Sequence, residues 1–136
     1  MSAPKVLLDT DMLSALMRQD TAVTVRAQAY LVEHQRFTLS IINRYEVVRG
    51  LKAKGATKQG KAFDHFCARN EVLPLTEAAI LKAAEIYANL YKRGELIGDA
   101  DILIAATALV NGFGVTTNNE RHFKRIAGLH VENWHK

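Results

Sequence analysis

Asp9, Glu46 and Asp101 are the residues whose types and spacing point most directly to chemistry. Asp9 ends the apolar run Val6-Leu7-Leu8. Glu46 opens a helical pattern soon after Phe37-Thr38-Leu39-Ser40-Ile41. Asp101 starts the apolar segment Ile102-Leu103-Ile104-Ala105-Ala106. A fourth polar spot, Thr117-Asn118-Asn119, follows Phe113-Gly114-Val115. In an α/β sheet, strand ends that point the same way line one crevice, and ligands bind there. Carboxylates gathered in one crevice repel each other unless a cation sits between them. Hard divalent ions such as Mg²⁺ favour such oxygen ligands. The residues therefore point to a metal site built from carboxylates.

The elements that must position these groups alternate in type. Lys5 to Asp9 reads as a short buried strand. Asp9 or Thr10 caps a helix over Asp11 to Arg18, and a second helix runs from Ala22 to His34. Phe37 to Ile41 is the second strand, and Asn43 heads a helix to Lys54. Gly55 and Gly60 bracket a polar turn before a helix that carries Phe63 and Phe66 to Arg69. Glu71 to Leu73 is a strand closed by Pro74. The helix from Glu77 to Arg93 shows an apolar stripe of Ile80, Ala84, Tyr87 and Tyr91, with Leu81 and Ala88 beside it. Asp99 to Asn111 is apolar nearly all round, so it should be central and packed on both sides. Val115 to Thr117 and Leu129 to Glu132 are the last strands, with a short helix between them at Glu120 to Arg125. Strands alternating with helices predict a parallel sheet covered on both faces, an α/β fold.

The whole chain bounds the reading. A chain of 136 residues, 49% of them hydrophobic, is expected to form one packed domain over 1–136 rather than a disordered segment. Net charge is +4, with Lys and Arg clustered from Arg44 to Lys61, which allows a nucleic-acid partner without requiring one. Cys67 is the only cysteine, which rules out an intramolecular disulfide. The five histidines lack the paired helical spacing of a zinc site. The leader Met-Ser-Ala-Pro-Lys has no apolar h-region, and no run is long enough to span a bilayer. A soluble cytoplasmic protein is expected.

Each acid also has a purely structural reading. Asp9 can cap a helix, and Glu46 stands three residues after Asn43, as in a capping box. Asp99 can be an N-cap, with Asp101 favouring the helix dipole in the first turn. Capping, however, does not need Glu where Asn, Ser or Thr serves, nor two aspartates two residues apart. Four segments taken together go further. They are Val6-Leu7-Leu8-Asp9-Thr10-Asp11, Asn43-Arg44-Tyr45-Glu46-Val47-Val48-Arg49-Gly50, Ile97-Gly98-Asp99-Ala100-Asp101-Ile102-Leu103-Ile104-Ala105-Ala106 and Thr117-Asn118-Asn119-Glu120-Arg121-His122-Phe123. In order and spacing they resemble the motifs of PIN-domain ribonucleases, and in particular VapC toxins of bacterial toxin–antitoxin pairs. The ending Arg125 to Leu129, with Glu132 and Trp134, is also similar to VapC tails.

The resemblance implies a three-layer α/β/α PIN-like fold with a central parallel sheet. It implies Mg²⁺- or Mn²⁺-dependent endonucleolytic cleavage of RNA, with tRNA or rRNA as target. Residue by residue, it puts the family's acids on Asp9, Glu46 and Asp101. Asp101 is selected over Asp99 because it stands three residues before Ile104-Ala105-Ala106. The fourth position falls on Asn119, where many PIN domains have Asp. Asp9, Asp101 and Asn119 would hold the ion, with Glu46 holding it through water or positioning the attacking water. Asp99, Asp11 and Thr117 would support them, and Arg44, Arg49 and Lys52 would meet the RNA backbone. The resemblance further implies a VapB-type antitoxin and a homodimer. Tyr30, Tyr45, Tyr87 and Tyr91 are candidates for those surfaces, although its stripe argues that Tyr87 is core.

Two other classes compete. One is a catalytically inactive PIN domain that only binds RNA or protein, supported by the neutral Asn119. The other is a phosphoacceptor signalling domain. It needs an Asp after its third strand and a Lys after its fifth, and Leu73-Pro74 and Leu129 to Glu132 offer neither.

Overall fold

The computed structural model describes residues 3–136, so Met1 and Ser2 of the leader lie outside the described residues. Five parallel strands form one sheet: β1 (Val6–Leu8), β2 (Thr38–Ser40), β3 (Glu71–Leu73), β4 (Gly114–Thr116) and β5 (Val131–Glu132). Their order across the sheet is β3-β2-β1-β4-β5. The chain winds outward from β1 to β3, then returns to the other side of β1 for β4. That reversal opens a crevice at the C-terminal ends of β1 and β4, where Leu8 pairs with Thr116.

Seven helices cover the sheet: α1 (Thr10–Met17), α2 (Thr21–His34), α3 (Ile41–Ala53), α4 (Thr57–Arg69), α5 (Glu77–Lys92), α6 (Asp99–Val110) and α7 (Glu120–Phe123). Strand alternation divides the core in two. Val6 and Leu8 pack with Met12, Leu13, Val23, Ala27, Phe63 and Trp134. Leu7, between them, packs with residues of α5 and α6 on the opposite face. These are the two helical layers expected around a parallel sheet. As expected for a helix apolar nearly all round, α6 buries Ile102, Ile104, Ala105, Ala106 and Ala108. Gly114 lies where β4 and β5 approach closely: a Cβ there would stand 2.5 Å from the His130 carbonyl oxygen. No helix among the described residues is long and apolar enough to cross a membrane.

The structure corrects several details. Ser40, rather than Asn43, caps α3: Asn43 is the third helical residue, and the two exchange side-chain and backbone hydrogen bonds in a capping box. The second strand is thereby shortened to end at Ser40. Gly60 lies inside α4, donating its N–H to Ala56 O at 2.9 Å; only Gly55, at φ 64°, makes the turn. On α5 the buried stripe is Ala79, Ala83, Ile86 and Leu90. Ile80, Tyr87 and Tyr91, read as the packed stripe, are 45%, 45% and 64% exposed. Two apolar stripes run side by side on this helix. The one with small residues faces inward because alanines let α5 approach α6 closely. Tyr87 is therefore not core, and it stacks on Tyr91 at 6.1 Å. Tyr30 is core: it packs against Trp134, and its hydroxyl accepts the Val6 N–H.

Candidate active site

Asp9 leaves β1 in extended conformation and caps α1, accepting the Thr10 N–H at 2.9 Å. Its carboxylate is buried at the crevice floor. The Thr117 hydroxyl donates to Oδ2 at 2.7 Å, and Asn43 Nδ2 reaches Oδ1 at 3.3 Å. Despite these bonds, its pKa is pushed up to about 7. Burial is the main cause, followed by the charge of Asp11, and Asp101 adds to it. Burial also raises Asp11, whose Oδ2 accepts the Asn118 N–H at 3.1 Å. The other oxygen, Oδ1, is buried with no hydrogen-bond partner.

Asp101 sits in the first turn of α6, behind the N-cap Gly98. Asn119 Nδ2 donates to its Oδ2 at 3.2 Å and to His122 Nδ1 at 2.8 Å. The same Nδ1 lies 3.4 Å from Asp101 Oδ2, so His122, Asn119 and Asp101 form one cluster. Thr117 joins the two halves, since its hydroxyl holds Asp9 and also accepts the Asn119 N–H at 2.9 Å. On the other side, Thr10 Oγ1 donates to Glu46 Oε1 at 2.7 Å, and Asn43 Nδ2 donates to Thr10 Oγ1 at 3.1 Å. Glu46 Oε2 lies 3.7 Å from Arg49.

The structure thus gathers Asp9, Asp11 and Asp101 electrostatically and ties Thr117, Asn119 and Glu46 to them by hydrogen bonds. Asp99 is different. It is exposed and borders a groove between α5 and α6 with Ala84, Tyr87 and Leu103. Arg44 turns toward α4, where it pairs with Asp64 at 3.1 Å. Lys52 borders the α3–α4 groove with Val48 and Leu51. Arg49 is the basic residue of this trio that reaches the crevice.

Among the described residues, no three His, Cys, Asp or Glu side chains form a ready-made cage. Mg²⁺ keeps several waters and is bound through one or two carboxylates. The orphaned Asp11 oxygen and the mutual repulsion of Asp9, Asp11 and Asp101 are the marks of a pocket that a divalent cation would relieve.

The model of the PIN domain matches residues 6–129. The chain belongs to the PIN-domain family. Its similarity to VapC ribonucleases places it in that branch. It is 31% identical to ribonuclease VapC1 of Methanocaldococcus jannaschii, over 90% of this chain and 81% of that protein. It is 28% identical to the tRNA(fMet)-specific endonuclease VapC of Shigella flexneri, over 96% of this chain and 98% of that one. The crystal structure of DNA-bound VapBC from Salmonella typhimurium superposes with a TM-score of 0.85 at 29% identity, covering 97% of this chain and 99% of that one.

Three residues of this PIN domain escaped the sequence reading. Thr10 holds Glu46, Asn43 spans Asp9 and Thr10, and His122 shares Asn119 with Asp101. The spacing was available for two of them. Asn43 precedes Glu46 by three and His122 follows Asn119 by three, each on one helix face. Thr10 carried no such signal, because its partner is distant in sequence.

Proposed function

We propose that this VapC-type endoribonuclease cuts tRNA or rRNA with a Mg²⁺ ion, replaceable by Mn²⁺, held at Asp9 and Asp101. It acts in the cytoplasm as the toxin of a VapBC pair and so inhibits translation. The observation that carries this reading is the buried Asp9 carboxylate facing Asp11 and Asp101 at the reversal point of the sheet. The names of the VapC relatives support the substrate class.

A bound divalent ion supplies an activated water and a Lewis acid for the phosphate. The chain's own residues set the geometry. Thr117 fixes the orientation of Asp9, and Asn119 fixes that of Asp101. Thr10 holds Glu46, which would position the attacking water or meet the ion through one. Asp11 adds negative charge beside Asp9. Arg49 is the basic residue best placed to meet the RNA backbone.

As a ligand, Asn119 would use its carbonyl oxygen, since an amide nitrogen does not bind a cation. In this structure its Nδ2 faces Asp101, so it orients that carboxylate, and its Oδ1 is the atom left for an ion. Asn119→Asp places a second negative oxygen opposite Asp101. A unit charge pair about 4 Å apart attracts by roughly 4 kcal/mol at an effective dielectric of about 20. Even after competition with water, Mn²⁺ affinity should rise by at least ~10-fold. Calorimetric titration of both proteins checks this. Equal affinity and stoichiometry would place Asn119 outside the metal's reach.

The partner is a VapB-type antitoxin, supported by the VapBC complexes among the structural neighbours. The exposed α5 stripe of Ile80, Tyr87 and Tyr91 supports a homodimer of single-domain 1–136 chains. Expression alone should arrest bacterial growth, and co-expression of the antitoxin should restore it. The Asp9→Ala, Asp101→Ala double variant should be harmless. Arrest that persists in the double variant would show that toxicity does not come from cleavage.

A further inference from the structure

Tyr45 is 59% exposed, one residue before Glu46 and outside both core clusters. Four residues later on the same helix face, Arg49 places its guanidinium 5.1 Å from the Tyr45 ring centroid. The same guanidinium lies 3.7 Å from Glu46 Oε2, with 58% of its side chain in solvent. One cation therefore bridges an exposed aromatic ring and a carboxylate of the crevice. Both contacts are weak, because the guanidinium is mostly in solvent and stands 3.7 Å from the carboxylate. An RNA phosphate offers Arg a stronger, two-pronged partner. An exposed ring beside that phosphate offers an unpaired base a stacking face.

We infer that Tyr45 and Arg49 form a nucleotide subsite. Tyr45 stacks an unpaired base flanking the cleaved phosphate, and Arg49 takes the adjoining backbone phosphate. In doing so Arg49 leaves Glu46, which is then held by Thr10 alone and freed toward the reacting water. The subsite selects single-stranded RNA, because a paired base keeps its faces inside the helix. Tyr45 and Arg49 are specificity and positioning residues. This inference rests on the reading of the chain as a ribonuclease, and its test needs no cleavage.

The test is fluorescence anisotropy in EDTA, with a short labelled oligoribonucleotide of mixed sequence and the duplex made from it. Stacking tolerates any base, so a mixed sequence suffices. The wild-type protein should bind the single strand more tightly than the duplex, and Tyr45→Phe should match it. Tyr45→Leu should weaken single-strand binding by about 5- to 150-fold with an unchanged salt dependence. Arg49→Ala should instead lower the salt slope by about 0.7, the share of one phosphate contact on a single strand. Unchanged melting temperatures keep these effects separate from folding. The inference is overturned if the wild type shows no preference for the single strand, or if Tyr45→Leu binds it like the wild type. It is equally overturned if Tyr45→Leu keeps RNA binding and loses only the co-expressed antitoxin, which would make the ring a protein contact. Loss of cleavage in Asp101→Asn bears on the ribonuclease reading alone and leaves this binding comparison intact.

Discussion

Asp9→Asn should make the metal-free protein more stable above neutral pH while abolishing RNA cleavage. The two effects share one cause. Burial, then the charge of Asp11, raises the Asp9 carboxyl from 3.8 to about 7. Below pH 3.8 the folded and unfolded chains both carry the proton, and the group costs nothing. Between 3.8 and about 7 the folded protein keeps a proton that the unfolded chain has released, so stability falls as pH rises. Above about 7 the whole penalty is in force, of the order of 4 kcal/mol. The asparagine amide carries no charge, and its oxygen can still accept from Thr117 or Asn43. Tm of the variant should therefore exceed that of the wild type by at least roughly 5 °C above neutral pH. The gain should fade as pH approaches 4. Mn²⁺ should stabilise the wild type and leave the variant unmoved. Thermal melts across this pH range check the prediction, and a variant no more stable than the wild type above neutral pH contradicts it.

Asp101→Asn should lower cleavage by at least ~10²-fold, and Asp99→Asn by no more than about tenfold. Asp101 acts electrostatically on both Asp9 and Asp11, and Asn119 holds it in place. Removing its charge takes away half of the carboxylate pair expected to hold the ion. Asp99 is two residues away on the same helix turn, yet it is exposed beside α5. A group that acts only from outside the metal's direct ligands typically costs about 10–100-fold when lost. With no hydrogen bond into the crevice, Asp99 belongs at or below the bottom of that range. Single-turnover rates for the two variants decide the matter. The opposite order would mean that Asp99 is the ligand.

Most of this was legible in the sequence because it is local. Apolar runs ended by Asp9 and Thr117 mark strand ends, and strand ends in a parallel sheet share one rim. The family resemblance ranks Asp101 above Asp99; in the structure Asp101 meets Asn119, and Asp99 borders the groove between α5 and α6. What the sequence hid is tertiary. Nothing in the periodicity of α5 distinguishes Ala79-Ala83-Ile86-Leu90 from Ile80-Ala84-Tyr87-Tyr91; close packing against α6 chooses the smaller stripe. Asn43 was read as a helix cap for want of its partners, and it proves to span Ser40, Asp9 and Thr10. Arg44 looked like its neighbour Arg49 in composition, yet α4 supplies it with Asp64 and removes it from the crevice.

The central claim is that Asp9 and Asp101 form a divalent-metal centre that cuts RNA. The most direct measurement is cleavage of structured RNA by the purified, antitoxin-free protein, with mapped product ends. The account predicts discrete internal cuts in Mg²⁺ or Mn²⁺, none in EDTA, and recovery when excess Mn²⁺ is restored. Cleavage that continues unchanged in EDTA would contradict it.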